Sequence, residues 1–205
     1  TALYAVATFL PDLPEGAYAD ATVLGLVNDG PSRTAILVGG GALTLAGLLF
    51  LAWTAALAAR LDRDGSWLSR AVLLGGAGYG LCLMLAATAF TGVATGIAVG
   101  ELEPADDPYL VRLASDLGFH LLLVPGLLCA SLAVAAASAL GRRSGALPPA
   151  VTVVGAVVAP LLWAGPLWAP QFLVPLWMLT VALTLRPAAA GGPGSAMPSP
   201  ASAAA

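Results

Sequence analysis

The sequence predicts an all-α fold, a polytopic transmembrane helix bundle of about six spans with the first one truncated. The first observation behind this is composition: the 205 residues are 59% hydrophobic and only 9% charged. In soluble domains about a quarter of all residues are charged, so this chain lacks the polar surface that a water-soluble globule needs. The second is that all eight basic residues are arginines placed between or at the edges of long apolar stretches. Burying such a charge at the bilayer centre costs roughly 2.5–3.5 kcal/mol, so the arginines mark where the membrane ends.

The first residues suggest the end of a span rather than a complete one. Residues 1–10 are apolar but too short to cross a bilayer, and they lack the basic region of a signal peptide. We interpret them as the remnant of a first span; a mature N-terminus left by signal cleavage is the alternative. Residues 11–33 are polar and form an external segment, with a short amphipathic helix expected around Tyr18–Val27.

The remaining spans follow from the apolar stretches within a bundle of residues 1–186. They are predicted at residues 34–59, 69–92, 112–140, 149–164 and 170–185. Ser32 is the predicted N-cap of the first of these, and a tight loop is expected at 141–145. The stretch 149–185 begins with Pro149 and contains four further prolines, so it forms either one kinked helix or a hairpin of two short ones. The tail 187–205 is composed mainly of Pro, Gly, Ala and Ser, and is expected to be disordered and cytoplasmic.

Arginine distribution predicts the orientation. The loop at 60–70 has three arginines and the loop at 141–145 has two, whereas the segment 101–112 has one arginine and four acids. The positive-inside rule places the first two loops in the cytoplasm and the acidic loop, residues 101–107, outside. A terminal hairpin would return Arg186 to the cytoplasm and bring Trp163 and Trp168 to the outer interface, so this pattern favours the hairpin.

One histidine provides the only candidate site with metal or acid–base chemistry. Arg112, Asp116 and His120 are spaced by four residues and share one helix face near the outer interface. Asp116 and His120 would bind a metal or a proton together with a carboxylate from the acidic loop, with Glu103 as the first candidate and Glu101, Asp106 and Asp107 as alternatives. The alternative is a helix end that presents polar residues to water and headgroups, because one histidine without a second is a weak metal signal.

Other polar and small residues indicate packing rather than chemistry. Polar residues within the spans are few and uncharged, which argues against proton-driven transport and against intramembrane catalysis; no catalytic residue is predicted. Cys82 and Cys129 are interpreted as packing residues, with a disulfide or thiol pair as the alternative. Two sets of glycines have small-xxx-small spacing, which is typical of closely packed helices: Gly76 and Gly80; and Gly92, Gly96 and Gly100.

Two segments resemble a known family. Gly118-Phe119-His120-Leu121-Leu122-Leu123 is followed by a long apolar helix and then by Arg143-Ser144-Gly145-Ala146-Leu147-Pro148. This pattern is similar to a family of six-span bacterial inner-membrane proteins catalogued only as a domain of unknown function. In that family an Arg-Ser-Gly-x-x-Pro turn precedes two closely spaced final helices, and an external segment separates the first two spans. The sequence departs from it at Pro149, where the family prefers a basic residue. The resemblance implies six spans and a terminal hairpin, and no activity or cofactor.

These observations predict a multi-pass protein of the bacterial plasma (inner) membrane. Its expected function is non-catalytic: binding a lipid or hydrophobic ligand, or serving as an accessory subunit. The alternative is a membrane enzyme or metal-binding protein that uses the outer acidic and histidine cluster. Besides the lipid bilayer, the partners considered are a hydrophobic ligand, another membrane protein and a second copy of the chain. Because the chain has no basic stripe, nucleic acid is excluded as a partner, and no cofactor is identified.

Overall fold

The described part of the chain consists of helices joined by short loops. The computed structural model describes residues 19–62, 65–167 and 169–185, and contains no strand within them. The α-helices are α1 (Asp20–Asn28), α2 (Gly30–Leu61), α3 (Trp67–Ala98), α4 (Pro108–Leu121), α5 (Leu127–Ser144), α6 (Pro149–Leu161) and α7 (Leu173–Thr184). A π-helical turn, Leu122–Gly126, joins α4 to α5, and two 3₁₀ turns, Leu162–Leu167 and Ala169–Phe172, connect α6 to α7. The predicted all-α fold is therefore confirmed for these residues.

Three helices are long and apolar enough to cross a membrane. They are Gly30–Leu61, Trp67–Ala98 and the continuous rod Pro108–Ser144, with mean hydropathies of 2.2, 1.9 and 2.2 in their most apolar windows. Two shorter apolar helices, Pro149–Gly165 and Ala169–Thr184, follow them. These lengths make a membrane helix bundle plausible.

Helix α2 begins four residues before the predicted boundary because its N-cap is Asp29 rather than Ser32. The Asp29 carboxylate accepts hydrogen bonds from the Ser32 backbone N–H at 3.1 Å and from its hydroxyl at 2.8 Å. Pro31 lies in the first turn, where its missing N–H costs nothing and its fixed φ favours the helix. Ser32 therefore supplies the donors for the cap and not the acceptor.

The predicted span 112–140 is part of a longer rod that changes its pitch. Helix α4 begins at Pro108, capped by the Asp107 carboxylate, which accepts from the Tyr109 N–H at 2.8 Å. Pro125 lies inside the π-helical turn, where its missing N–H and bulky ring would disrupt a regular α-helix. The predicted loop at 141–145 is mostly helical, since α5 continues to Ser144 and ends at Gly145, whose φ of +66° suits glycine.

Glycines bring α3 into close contact with α2 and α5. A Cβ at Gly47 of α2 would lie 2.8 Å from the Gly80 carbonyl oxygen, and one at Gly80 would lie 3.0 Å from the Gly47 oxygen. A Cβ at Gly75 would lie 2.6 Å from the backbone N of Ala133 on α5. Gly92 has no such neighbour within 4 Å. The Gly76–Gly80 set thus packs helices as predicted, whereas the set that begins at Gly92 is not used in this way among the described residues.

Buried apolar side chains form two separate clusters. The larger cluster runs through α2, α3, α5, α6 and α7 and includes Val72, Leu83 and Leu127. The smaller cluster joins α1 to the ends of α2, α3 and α4 that lie beside the acidic loop. We call it the cap core; it contains Val23, Val27, Ile36, Val93, Ala94 and Val111.

An aromatic chain connects the terminal helix α7 to the centre of the bundle. The ring of Tyr79 on α3 lies 4.8 Å from that of Phe50 on α2, which lies 5.9 Å from Trp53. Trp53 in turn meets Trp177 of α7 edge-on at 6.0 Å. Offset and edge-to-face contacts of this kind stabilise aromatic pairs, so α7 is held as part of the bundle.

Several predictions fall outside the described residues. They concern the first-span remnant at 1–10, the start of the external segment, Trp168, Arg186 and the tail 187–205. The amphipathic helix predicted around Tyr18–Val27 corresponds to α1.

Candidate functional site

The acidic loop is fastened to α1 by one asparagine. The Asn28 side chain donates from Nδ2 to the Ala105 carbonyl oxygen at 2.8 Å, and its Oδ1 accepts from the Ala105 N–H at 2.9 Å. Both polar groups of one loop residue are therefore satisfied by a single side chain. A lone Asn in a polar segment gives no sequence signal for such a contact, so this residue was not predicted.

Arg112 connects α4 to α1. Its Nη2 donates to Asp20 Oδ1 at 2.7 Å, with Arg112 mostly buried and Asp20 largely exposed. The i, i+4 spacing predicts that Arg112 shares one helix face with Asp116. In the structure its guanidinium pairs with Asp20, and this ion pair joins α4 to α1 beside the cap core.

The predicted metal ligands lie at the surface. Glu103, Asp116 and His120 are all exposed. Over residues 19–62, 65–167 and 169–185, no three His, Cys, Asp or Glu side chains are gathered closely enough to hold a metal ion. The metal site at these residues stays a prediction. Cys82 is buried and Cys129 half-buried, and both are free thiols.

A second candidate site lies between α5 and α6, which are joined by a chain of two hydrogen bonds. The Ser131 hydroxyl donates to the Ala159 carbonyl oxygen at 2.7 Å, and the indole N–H of Trp163 donates to Ser131 Oγ at 2.9 Å. Pro160 follows Ala159 and interrupts regular hydrogen bonding at this end of α6. The chain therefore fastens the irregular end of α6 to α5.

Beside this chain lies an open cleft, which we call the α5–α6 groove, with a volume of about 530 Å³. Its floor is formed by buried Ser138, Thr152 and Ala159, and its sides by exposed small and branched residues. The lining residues are Ala135, Ser138, Ala139, Arg142, Thr152, Val153, Ala156, Val157, Ala159 and Pro160. Alanines on the outer faces of both helices leave the space that larger side chains would fill.

The hydroxyls on the floor of the groove are already used as donors within their own helices. Ser138 donates to the Val134 carbonyl oxygen at 2.7 Å and Thr152 donates to the Pro149 carbonyl oxygen at 2.8 Å. Hydroxyls bonded back to the preceding turn present little polarity to their surroundings. The floor therefore offers hydroxyl oxygens as acceptors but has no hydroxyl donor left for a ligand.

Charge is confined to one end of the groove. Arg142 lies in the last turn of α5 and lines the groove, while Pro160, near the end of α6, lines its other end. A smaller groove of about 230 Å³ between α2 and α7 has the same arrangement, with Arg60 near the end of α2. Because α3 runs antiparallel to both α2 and α5, the two arginines lie at the same end of the bundle.

Behind the floor, Gly155 makes room for a tryptophan. A Cβ at Gly155 would meet Ser138 Oγ and would lie 2.8 Å from Trp177 Nε1. Among the described residues, the buried indole N–H of Trp177 has no hydrogen-bond partner. Gly155 thus permits α6 to pack against both α5 and α7.

Comparisons with family models, with curated proteins and with solved structures gave no match for this chain.

Proposed function

We propose that this protein is a non-catalytic, six-span bundle of the bacterial plasma membrane that holds a lipid in the α5–α6 groove. The observation that carries this proposal is the groove itself, which is open at the side and lined mainly by apolar atoms. In hydrocarbon there is no water to fill such a cleft, and an empty cleft forfeits the dispersion contacts of its lining. An acyl chain is the occupant that the bilayer supplies.

The six-span layout is supported by the position of α7. Leu185, the residue after α7, lines the smaller groove together with Arg60, so α7 returns to the arginine-bearing end of the bundle. Pro149–Gly165 contains 17 residues, which is at the lower limit of the roughly 17–25 residues that a span requires. The resemblance to a six-span bacterial inner-membrane family stays a prediction.

Filling the groove tests the proposal directly. Ala139→Phe with Ala156→Phe places two rings in the cleft, one from each helix. Ala52→Phe is the matched control, because Ala52 is exposed on α2 and lines neither groove. The proteins are extracted from native membranes in a mild detergent, and the retained lipid is counted by native mass spectrometry.

We expect about one lipid per wild-type chain, the same in the Ala52→Phe control, and loss of that lipid in the groove-filled variant. Circular dichroism of all three proteins checks that the helices are intact. A wild-type protein that retains no lipid, or a folded groove-filled variant that retains as much as the wild type, would contradict the proposal.

The rival function is a metal-binding protein or membrane enzyme that uses Glu103, Asp116 and His120. Elemental analysis of purified wild type and His120→Ala distinguishes it. A stoichiometric metal that the variant loses would establish this function in place of lipid binding.

A further inference from the structure

We infer that the occupant of the α5–α6 groove is an anionic phospholipid, whose phosphate is bound by Arg142. This inference rests on the proposed function and adds the chemical class of the ligand. It commits to a membrane lipid as the source of the phosphate, because the groove supplies apolar contact along its length and one cation at its end.

Arg142 has a free positive charge among the described residues. It is exposed, and the ion pair found in the described ranges joins Arg112 to Asp20 instead. The sequence contains no Asp or Glu after Asp116, so no carboxylate is close to Arg142 along the chain. A guanidinium without a carboxylate partner binds phosphate well, since its planar N–H groups match two phosphate oxygens.

The dimensions of the groove fit a headgroup at one end and a chain along the rest. From Ala135 to Arg142 the lining of α5 covers about 10 Å, and from Thr152 to Pro160 the lining of α6 covers about 12 Å. Arg142 lies at the helix end next to the polar turn, where headgroups are expected, and the small side chains extend from it toward the bilayer centre. A phospholipid has the same order of parts.

The absence of Asp and Glu from the lining of the groove explains why an anionic lipid is favoured over a zwitterionic one. Both kinds of lipid have a phosphate that Arg142 can bind. A zwitterionic headgroup also carries a cation, which a nearby carboxylate would stabilise. The groove lining contains no carboxylate, and its Arg142 would lie close to the positive group of a zwitterionic headgroup. Like charges at close range repel, so the net negative headgroup binds more tightly.

Arg143 provides the matched control. Both arginines lie in the last turn of α5, where a positive charge interacts favourably with the helix dipole. Both are exposed, but of the two only Arg142 is among the residues that line the groove. Arg142→Gln and Arg143→Gln therefore change the net charge and the charge at the end of α5 equally. Only Arg142→Gln also removes a charge that lines the groove.

The experiment uses the full chain reconstituted in vesicles of equimolar phosphatidylglycerol and phosphatidylcholine with identical acyl chains. After extraction in mild detergent, native mass spectrometry measures the ratio of the two lipids that remain bound. We expect about tenfold enrichment of phosphatidylglycerol for wild type and for Arg143→Gln, the size of effect that one charge-assisted contact produces. Arg142→Gln should retain lipid at a ratio near one.

The possible results separate this inference from the proposed function. Bound lipid in the wild type at a ratio near one refutes the anionic preference and leaves lipid binding intact, whereas no bound lipid refutes both. Equal loss of enrichment in the two variants assigns the effect to overall charge and overturns the role of Arg142. Millimolar inorganic phosphate should leave the ratio unchanged; a ratio that collapses would show that a free anion, not a lipid, occupies Arg142.

Discussion

Adding one methyl group at Gly75 should separate α3 from α5. A Cβ there would lie 2.6 Å from the Ala133 backbone N and 2.6 Å from the Cys129 carbonyl oxygen. Favourable contacts of this kind are about 3.5–4.0 Å long, so the two helices must part by about 1 Å at this crossing. Both obstructing atoms belong to the backbone of a helix and cannot rotate away.

The expected cost follows from the lost packing. A radial gap of about 0.5–1 Å forfeits roughly a quarter to a half of the dispersion energy of each contact, and overpacked sites typically lose about 1–3 kcal/mol. Alanine also raises helix propensity by about 0.8–1.0 kcal/mol over glycine, which offsets part of the loss. Gly92→Ala has the same propensity gain and no neighbour within 4 Å of the new Cβ. We expect Gly75→Ala to be less stable than Gly92→Ala by about 1–3 kcal/mol.

Unfolding in mixed micelles, titrated with dodecyl sulfate and followed by circular dichroism, measures the difference in free energy of unfolding between the two variants. Equal stabilities within about 0.5 kcal/mol would refute the close approach of the backbones at Gly75. A Gly92→Ala variant that is itself strongly destabilised would show that this glycine has a partner outside the described residues.

Three further predictions concern the ends of the bundle. In a background without native cysteines, Glu103→Cys should be labelled by an impermeant thiol reagent in intact cells and Ser144→Cys should be shielded; the reverse pattern would invert the orientation. Asp29→Ala should lower stability more than Asp29→Asn, because asparagine still caps α2. The backbone hydrogen bond from Ser32 holds the pKa of Asp29 below its ordinary value of 3.8. The stabilising contribution of the ionised Asp29 carboxylate is therefore fully present above pH 3.8 and is lost as the pH falls through the lowered pKa. The free energy of unfolding of Asp29→Asn should not show this pH dependence. Asn28→Ala should speed hydrogen exchange in the acidic loop, and Asn28→Asp, which keeps only the acceptor, should have a smaller effect. Unchanged exchange in both variants would argue against the two hydrogen bonds between Asn28 and Ala105.

The long helices could be predicted because the cost of burying a guanidinium is large and local. Each arginine marks a boundary without any knowledge of the partner helices. The apolar pattern predicts a start of α2 at residue 34, whereas the helix begins at Gly30. The earlier start follows from Asp29 and Pro31, because an Asp N-cap followed by a proline in the first turn is a typical helix start.

The groove could not be predicted because it depends on which faces of two helices meet. Ala135, Ala139 and Ala156 are ordinary members of alanine-rich helices, and nothing in their spacing identifies them as the sides of a cleft. The hydrogen bonds between Asn28 and Ala105 likewise depend on a tertiary contact. His120 was a candidate because of its residue type and its spacing from Asp116, and the structure leaves it exposed.

The separate cap core has a consequence for how the protein responds to denaturants. In the proposed layout this cluster faces the aqueous periplasm, while the larger cluster is surrounded by acyl chains. Urea acts through water, so it should melt the six-residue cap core at concentrations that leave the membrane-embedded helices folded. Such a protein would unfold in two steps from one side, and the acidic loop would be the first part to lose its structure.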